Sequence, residues 1–487
     1  MGQRKDMHHT AVLLWAFLSI PLLYGCISVG PDYVRPETPV AQAWHTGMDS
    51  GLTAVQTDPA RLARWWETLG DPGLTNLMGR AVDNNLDLKQ AISRVREARA
   101  QRSIAKAGLF PSLDATGSVT RSRGSENTGS GQSRTLYSAG LDAGWELDLF
   151  GGVRRSVEAA GADLQASRED LHDVLVSLTA EVGLNYIDLR TYQARLDVAE
   201  ENLKTREESY ELTRERYEAG LTDELDVQQA RASLESARAG IPGLRTGMEE
   251  SMNRLAVLLG VQPGMLHLEL GQAKPLPVVP SSVAVGVPAD VLRQRPDVRK
   301  AERELAAQTA RVGVATAELY PKLTLNGSIG LDALNSGKLF TSGARSWSYG
   351  PGISWPVFHA GAIRQNIEVQ SAMQEQALLT YESSVLGALE EVENALTSYA
   401  QEQHRRDSLN EAADAAGRAY EYARIKYEAG LTDFGTLLDA QRSLLSLQDD
   451  LATSNGTVTA NLVRLYKALG GGWSTHDGTD DPDRQER

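Results

Sequence analysis

The chain has 487 residues and a formal net charge of −15, which argues against nucleic acid as a partner. Only 6% of residues are aromatic, and long stretches of Ala, Leu, Glu, Gln and Arg predict a largely helical protein. Its single cysteine excludes disulfides. Arg4 and Lys5 precede an apolar run from Ala11 to Tyr24, so residues 1–25 read as an export signal. That run ends in Leu23-Tyr24-Gly25-Cys26, and a small residue just before the lone cysteine predicts that Cys26 carries lipid. Ile27, where an aspartate would favour retention at the inner membrane, directs the product to the outer one. No later run is long and apolar enough for a transmembrane helix.

Residues 26–73 are expected to form an extended strap, because Val29-Gly30-Pro31-Asp32-Tyr33-Val34-Arg35-Pro36 is broken by Gly and Pro. Trp65, Trp66 and Leu69 should dock it onto the body. A first repeat then spans 74–260. It opens with one helix from Leu74 to Ala107, whose stripe is Leu77, Ala81, Leu88, Ile92 and Val95. Pro111 ends it, and the period changes to two. A hairpin over 112–147 alternates Leu113, Ala115, Gly117 and Val119 with polar residues, then Tyr137, Ala139, Leu141, Ala143 and Trp145 likewise. Arg154 to Glu218 contains no proline and would make a helix of roughly 100 Å. Its Leu, Ala and Tyr residues keep the three-four spacing of a coiled-coil seam. The tip at 219–223 reverses the chain into a return helix from Thr222 to Leu259, which Pro242 should kink. Gly220 supplies the left-handed turn, and the Thr222 hydroxyl is expected to cap the next helix with Asp223 against its dipole.

After a proline-rich linker at 261–291, the pattern returns. Tyr217-Glu218-Ala219-Gly220-Leu221-Thr222-Asp223 recurs letter for letter as Tyr427-Glu428-Ala429-Gly430-Leu431-Thr432-Asp433, an offset of 210 residues. The offset also carries Leu109 and Pro111 onto Leu319 and Pro321, and Trp145 and Gly151 onto Trp355 and Gly361. The second repeat, 292–470, therefore holds a hairpin at 322–357, a long helix to Glu428, a tip at 429–433 and a return helix to Leu469. Residues 471–487 read as a disordered acidic tail. A period this long is a tandem duplication and not a solenoid of small units.

The two hairpins could form an ordinary half-buried sheet. Two details favour a membrane barrel: aromatics lie toward the ends of the apolar rows, and the opposite face is polar and rich in glycine. Tyr137, Trp145, Trp347, Tyr349 and Trp355 are the candidate girdle. Four strands cannot close a barrel, so several subunits must share one. The eight histidines show no pair at metal-ligand spacing beyond His8-His9, and no Gly-rich phosphate loop is present, so neither a cofactor nor an enzyme is expected.

Together with Cys26 to Pro36, three motifs carry a family resemblance. They are Trp145-Glu146-Leu147-Asp148-Leu149-Phe150-Gly151, Leu292-Arg293-Gln294-Arg295-Pro296-Asp297 and Leu437-Leu438-Asp439-Ala440-Gln441-Arg442. The chain resembles the outer-membrane efflux proteins of the TolC and OprM type, in particular their NodT-like lipoprotein branch. The resemblance implies a mainly α protein with a β-barrel part: a homotrimer giving four strands per subunit to a twelve-stranded barrel, with its helices in a long periplasmic coiled-coil barrel. It implies a passive exit duct for drugs or other small molecules, lipid-anchored in the outer membrane. Its partners would be a periplasmic adaptor and an inner-membrane pump, often of the resistance-nodulation-division type. Type I protein secretion uses the same fold, and a non-conducting lipoprotein bracing the periplasm is the structural rival. Gly220, Leu221, Thr222, Gly430, Leu431 and Thr432 become the adaptor-docking tips. Asp439 matches the family's constricting aspartate, with Arg442 one turn away to balance three converging carboxylates. The chain departs from the family at Gly435, where a bulky leucine usually adds an apolar ring. Mass spectrometry of the mature N-terminal peptide should show an acylated Cys26; an unmodified peptide beginning elsewhere would end that assignment.

Overall fold

A computed structural model describes residues 28–56, 58–128 and 131–473. Cys26, the export signal and residues 474–487 lie outside the described residues. In chain order the elements are β1 (Leu52–Thr53), α1 (Pro59–Ala63), α2 (Pro72–Asn84), α3 (Leu86–Ala107), β2 (Ser112–Arg123) and β3 (Ser133–Leu147). Then come α4 (Gly152–Glu218), α5 (Glu224–Leu258), α6 (His267–Leu270), β4 (Val283–Ala284), α7 (Pro288–Gln294) and α8 (Pro296–Ala317). The remainder is β5 (Lys322–Ala333), β6 (Arg345–Ser354), α9 (Ala362–Glu428) and α10 (Phe434–Ala468). The duplication is explicit in these bounds. Helices α4 and α9 have 67 residues each, α5 and α10 have 35 each, and α3 and α8 have 22 each.

The chain divides into two compact units. One contains residues 94–168, 300–382 and the strap up to Glu37. Its centre is a four-stranded antiparallel sheet in the order β2-β3-β5-β6, so the two hairpins are joined through β3 and β5. The strap is fastened here by side chains. Arg155, 4% exposed, donates from Nε to the Val29 carbonyl at 3.1 Å and from Nη2 to Asp32 at 2.6 Å. Tyr33 donates its hydroxyl to Glu302 at 3.1 Å, and Arg35 pairs with the same carboxylate at 3.1 Å. Burial and that carboxylate push the Tyr33 hydroxyl up to about 12, so it stays a donor at neutral pH.

The other unit holds residues 38–93, 169–299 and 383 onward. Its core gathers Trp65, Leu74, Leu77, Tyr186, Leu189, Leu255, Val392, Leu396, Leu462 and Leu465. Trp65 is fully buried, stacks on Tyr466 with ring centres 5.6 Å apart, and fits because Gly183 leaves it room. The proline-rich segment is not featureless, since Val283–Ala284 pairs in parallel with Leu52–Thr53 and the Trp44 indole donates to the Gly286 carbonyl at 3.0 Å.

Two expectations need correction. The helix read from Leu74 to Ala107 is broken at Asn85, whose φ of −57° and ψ of 134° leave the helical region. Its side chain caps Leu88 N–H at 3.0 Å and donates to the last carbonyl of α5, Leu258, at 2.9 Å. Asparagine competes with the helix for such bonds, and an uninterrupted apolar stripe conceals the break. The second repeat breaks at the matching residue, Arg295, which donates to the matching carbonyl, Ala468, at 2.7 Å. Second, Asp223 and Asp433 are the caps of the return helices, through Asp226 N–H and Thr436 N–H; the Thr222 hydroxyl instead donates to Asp226. Pro242 lies inside α5, which continues on both sides of it. Arg238, Gly240, Pro242 and Gly243 are all exposed, so the carbonyl left unbonded by proline can take water.

Trp65→Ala should cost about 3–5 kcal/mol, as for other buried aromatics. Trp65→Phe should cost far less, because the buried indole N–H has no partner. Chemical denaturation monitored by circular dichroism would check this, and equal losses for the two variants would contradict it.

Candidate functional site

The sheet is two-faced. Its register sets Leu113 beside Ala143, Ala143 beside Gly327 and Gly327 beside Tyr349; one step along lie Ala115, Leu141, Ile329 and Trp347. Side chains alternate across a strand, so all four strands present their apolar rows on one face. That face is bare: Leu113, Val119, Ile329, Trp347, Tyr349 and Ile353 are each at least 65% exposed. The opposite face carries Asp114, Thr116, Ser138, Asp142, Thr324, Asn326, Ser328 and Asp332, with glycines between. There Thr116 donates to Asp142 at 2.8 Å, and Ser138 and Ser346 each donate to Asp332 at 2.6 Å. Among the described residues, the outer edges of β2 and β6 have no strand beside them.

Of the five aromatics chosen from the sequence, Tyr137, Trp145, Trp347 and Tyr349 lie at different levels of the apolar face, and Trp355 follows β6 directly. The Trp145 and Trp355 indoles donate to the carbonyls of Leu109 and Leu319, each at 3.0 Å, where the preceding helices end. Tyr137 stands toward the other end, opposite Val119 and Ala333. Trp347 and Tyr349 stack on edge strand β6 with ring centres 5.7 Å apart.

The two helix reversals share one backbone and differ in packing. Gly220 and Gly430 have φ of +71° and +69°, which other residues adopt only with strain. Leu221 N–H reaches the Arg216 carbonyl and Leu431 N–H that of Lys426, both at 2.8 Å, closing the ends of α4 and α9. Both leucines then project into solvent, 67% and 76% exposed. Beyond these turns the tips part ways. Tyr427 and Phe434 are buried with Leu437 and Leu438, whereas Tyr217 is 43% exposed and position 224 is an exposed Glu. The sequence reading missed this asymmetry, although Glu224 against Phe434 was a visible sign of it.

Asp439 and Arg442 are one turn apart on α10, 3.9 Å from each other and mostly exposed, above the buried Leu437 and Leu438. Within one chain such a pair contributes little. Arg206 lies near them, bonded to Ser233 O at 2.6 Å, and burial together with the Arg442 charge lowers its pKa. Gly435 leaves the place beside the Asp433 cap without a side chain. Among the described residues no cluster of His, Cys, Asp or Glu could hold a metal, and no helix is long and apolar enough to cross a membrane.

An exposed apolar sheet face backed by a polar one is the pattern of membrane β-strands, and it accompanies a duplicated pair of helical hairpins. The model of the outer membrane efflux protein family matches residues 77–261 and 287–471, one match per repeat, and the chain belongs to that family. It is 33% identical to nodulation protein T of Rhizobium leguminosarum bv. viciae, over 93% of this chain and 92% of that one. It is 34% identical to the probable efflux pump outer membrane protein TtgC of Pseudomonas putida, over 96% and 97%. The solved outer-membrane channel OprN superposes with a TM-score of 0.86 at 38% identity, covering 92% of this chain and 99% of that one. The relatives are outer-membrane efflux proteins and no catalytic family is indicated.

Proposed function

We propose that the protein is the exit duct of a tripartite efflux system, passing small molecules outward with no energy source of its own. The observation that carries this reading is the four-stranded sheet with one bare apolar face and two open edges. Unpaired N–H and C=O groups are not tolerated in hydrocarbon, so the edges must be closed by strands of other copies. Three copies give twelve strands, within the range of closed outer-membrane barrels, with the polar face turned to a water-filled lumen. Lipid on Cys26 adds an anchor to the outer membrane. A periplasmic adaptor and an inner-membrane pump, of the resistance-nodulation-division type, supply cargo and energy.

In this reading the helix reversals are the adaptor's landing points. Leu221 and Leu431 support it, being large apolar side chains left in solvent at two tips of identical sequence. Leu221→Asp combined with Leu431→Asp should abolish efflux while the channel still assembles, since neither side chain packs within the chain. Full drug resistance in that double variant would place the adaptor elsewhere.

Asp439 is the constriction. Three exposed carboxylates around a common axis repel one another, and each Arg442 offsets part of that repulsion. With Gly435 adding no apolar ring, closure depends on these charges. Asp439→Ala should raise resting single-channel conductance in planar bilayers and increase sensitivity to vancomycin, which is too large for an intact outer membrane. Unchanged conductance and sensitivity at normal protein levels would remove Asp439 from the gate.

A further inference from the structure

The charges of the sheet are sorted by face. Its carboxylates, Asp114, Asp142, Glu146 and Asp332, all stand with the even-numbered residues on the polar face. The odd-numbered, apolar rows hold no acid, and on both edge strands they end in arginine. Along β2 the row of Leu113, Ala115, Gly117 and Val119 continues as Arg121 and Arg123, each step being about 7 Å. On β6 the row that includes Ile353, Tyr349 and Trp347 ends at Arg345, which is paired with Leu331.

These arginines share one end of the sheet. The helices join it at Ser112, Leu147, Lys322 and Ser354, and the arginines stand at the opposite end, where β2 turns into β3 and β5 into β6. Over 120–136 and 334–346 the charged residues are Arg121, Arg123, Arg134, Lys338 and Arg345 against Glu126 alone, in a chain whose net charge is −15. Arg123 turns its guanidinium to the first connection, donating to the Gly131 carbonyl at 2.8 Å and pairing with Glu126 at 2.9 Å. Arg121 and Arg345 are exposed and form no ion pair among the described residues.

An arginine at the end of a lipid-facing row can lay its stem on the apolar surface and hold its guanidinium at the headgroup level. A ligand that fits there brings both an anion and hydrocarbon. Phosphate suits the planar fork of arginine, and acyl chains suit the bare Val119, Ile329 and Trp347 below it. A free anion would leave those side chains without a partner. Within a chain β2 and β6 are separated by β3 and β5. When copies close into a ring, β6 of one lies beside β2 of the next, about 5 Å away, so Arg345 and Arg121 meet across each seam.

We propose that each seam binds a phosphorylated acyl glycolipid of the outer leaflet, with Arg345 of one copy and Arg121 of the next on its phosphates. It rests on the reading that copies close around the sheet with the helices on the periplasmic side. The bound lipid spans both strands of the seam and ties two copies together from the membrane side.

The test is a titration of the detergent-extracted, full-length protein with hexa-acylated bis-phosphoryl lipid A, bound lipid being counted by native mass spectrometry. One tightly held lipid per seam is expected. Arg121→Gln or Arg345→Gln should weaken binding about fivefold and the double variant about thirtyfold, the effect of arginines at a charged lipid surface. Arg134→Gln, on the polar face, should change nothing. Undiminished binding by the double variant, or an equal loss in Arg134→Gln, would overturn the site. Displacement of lipid A by inorganic pyrophosphate at comparable concentration would give the arginines to a free anion and overturn the lipid. Circular dichroism checks that each variant keeps its strands; should the double variant lose them, the single variants decide. Unsubstituted protein that stays monomeric would instead overturn the reading beneath.

Discussion

A backbone N–H or C=O in hydrocarbon must find a partner, and that rule governs the assembly of this protein more than any side-chain contact. Residues 137–144 of β3 and 323–331 of β5 have partners on both sides, but among the described residues β2 and β6 each have a partner strand on one side only. The apolar face is continuous across all four strands, which on the proposed function puts the whole sheet in lipid, free edges included. In the proposed closed ring of three copies, this sheet is one third of the wall. Arg155 and Glu302 hold the strap against the same unit through buried or half-buried charges, which ties the segment following Cys26 to the sheet's supporting helices.

The duplication explains the architecture, and the departures from it explain the chemistry. Matching residues do matching work at Asn85 and Arg295, each reaching the final carbonyl of its own return helix. Matching backbone at Gly220 and Gly430 makes two equal turns. Where the halves differ, the environment diverges: Phe434 draws Tyr427 into a core, while Glu224 leaves Tyr217 outside. Identical heptapeptides thereby acquire different surroundings, one packed and one exposed.

Much of this was legible in the sequence because period and repeat are strong signals. Alternation over Leu113 to Val119 and a proline-free run after Arg154 have few structural interpretations. The errors were local. Asn85 interrupts a helix without disturbing its apolar stripe, and Thr222 stands one residue before the aspartate that actually caps α5. The pairing of Arg216 with Tyr427 was not legible, since it joins residues from different repeats whose approach depends on tertiary packing.

Native mass spectrometry of the detergent-extracted, full-length protein tests the closure of the sheet most directly. The account predicts a single species of three chains that persists at nanomolar protein concentration. A stable monomer retaining its full strand content in detergent would contradict it, because four strands would then have satisfied their edges without other copies.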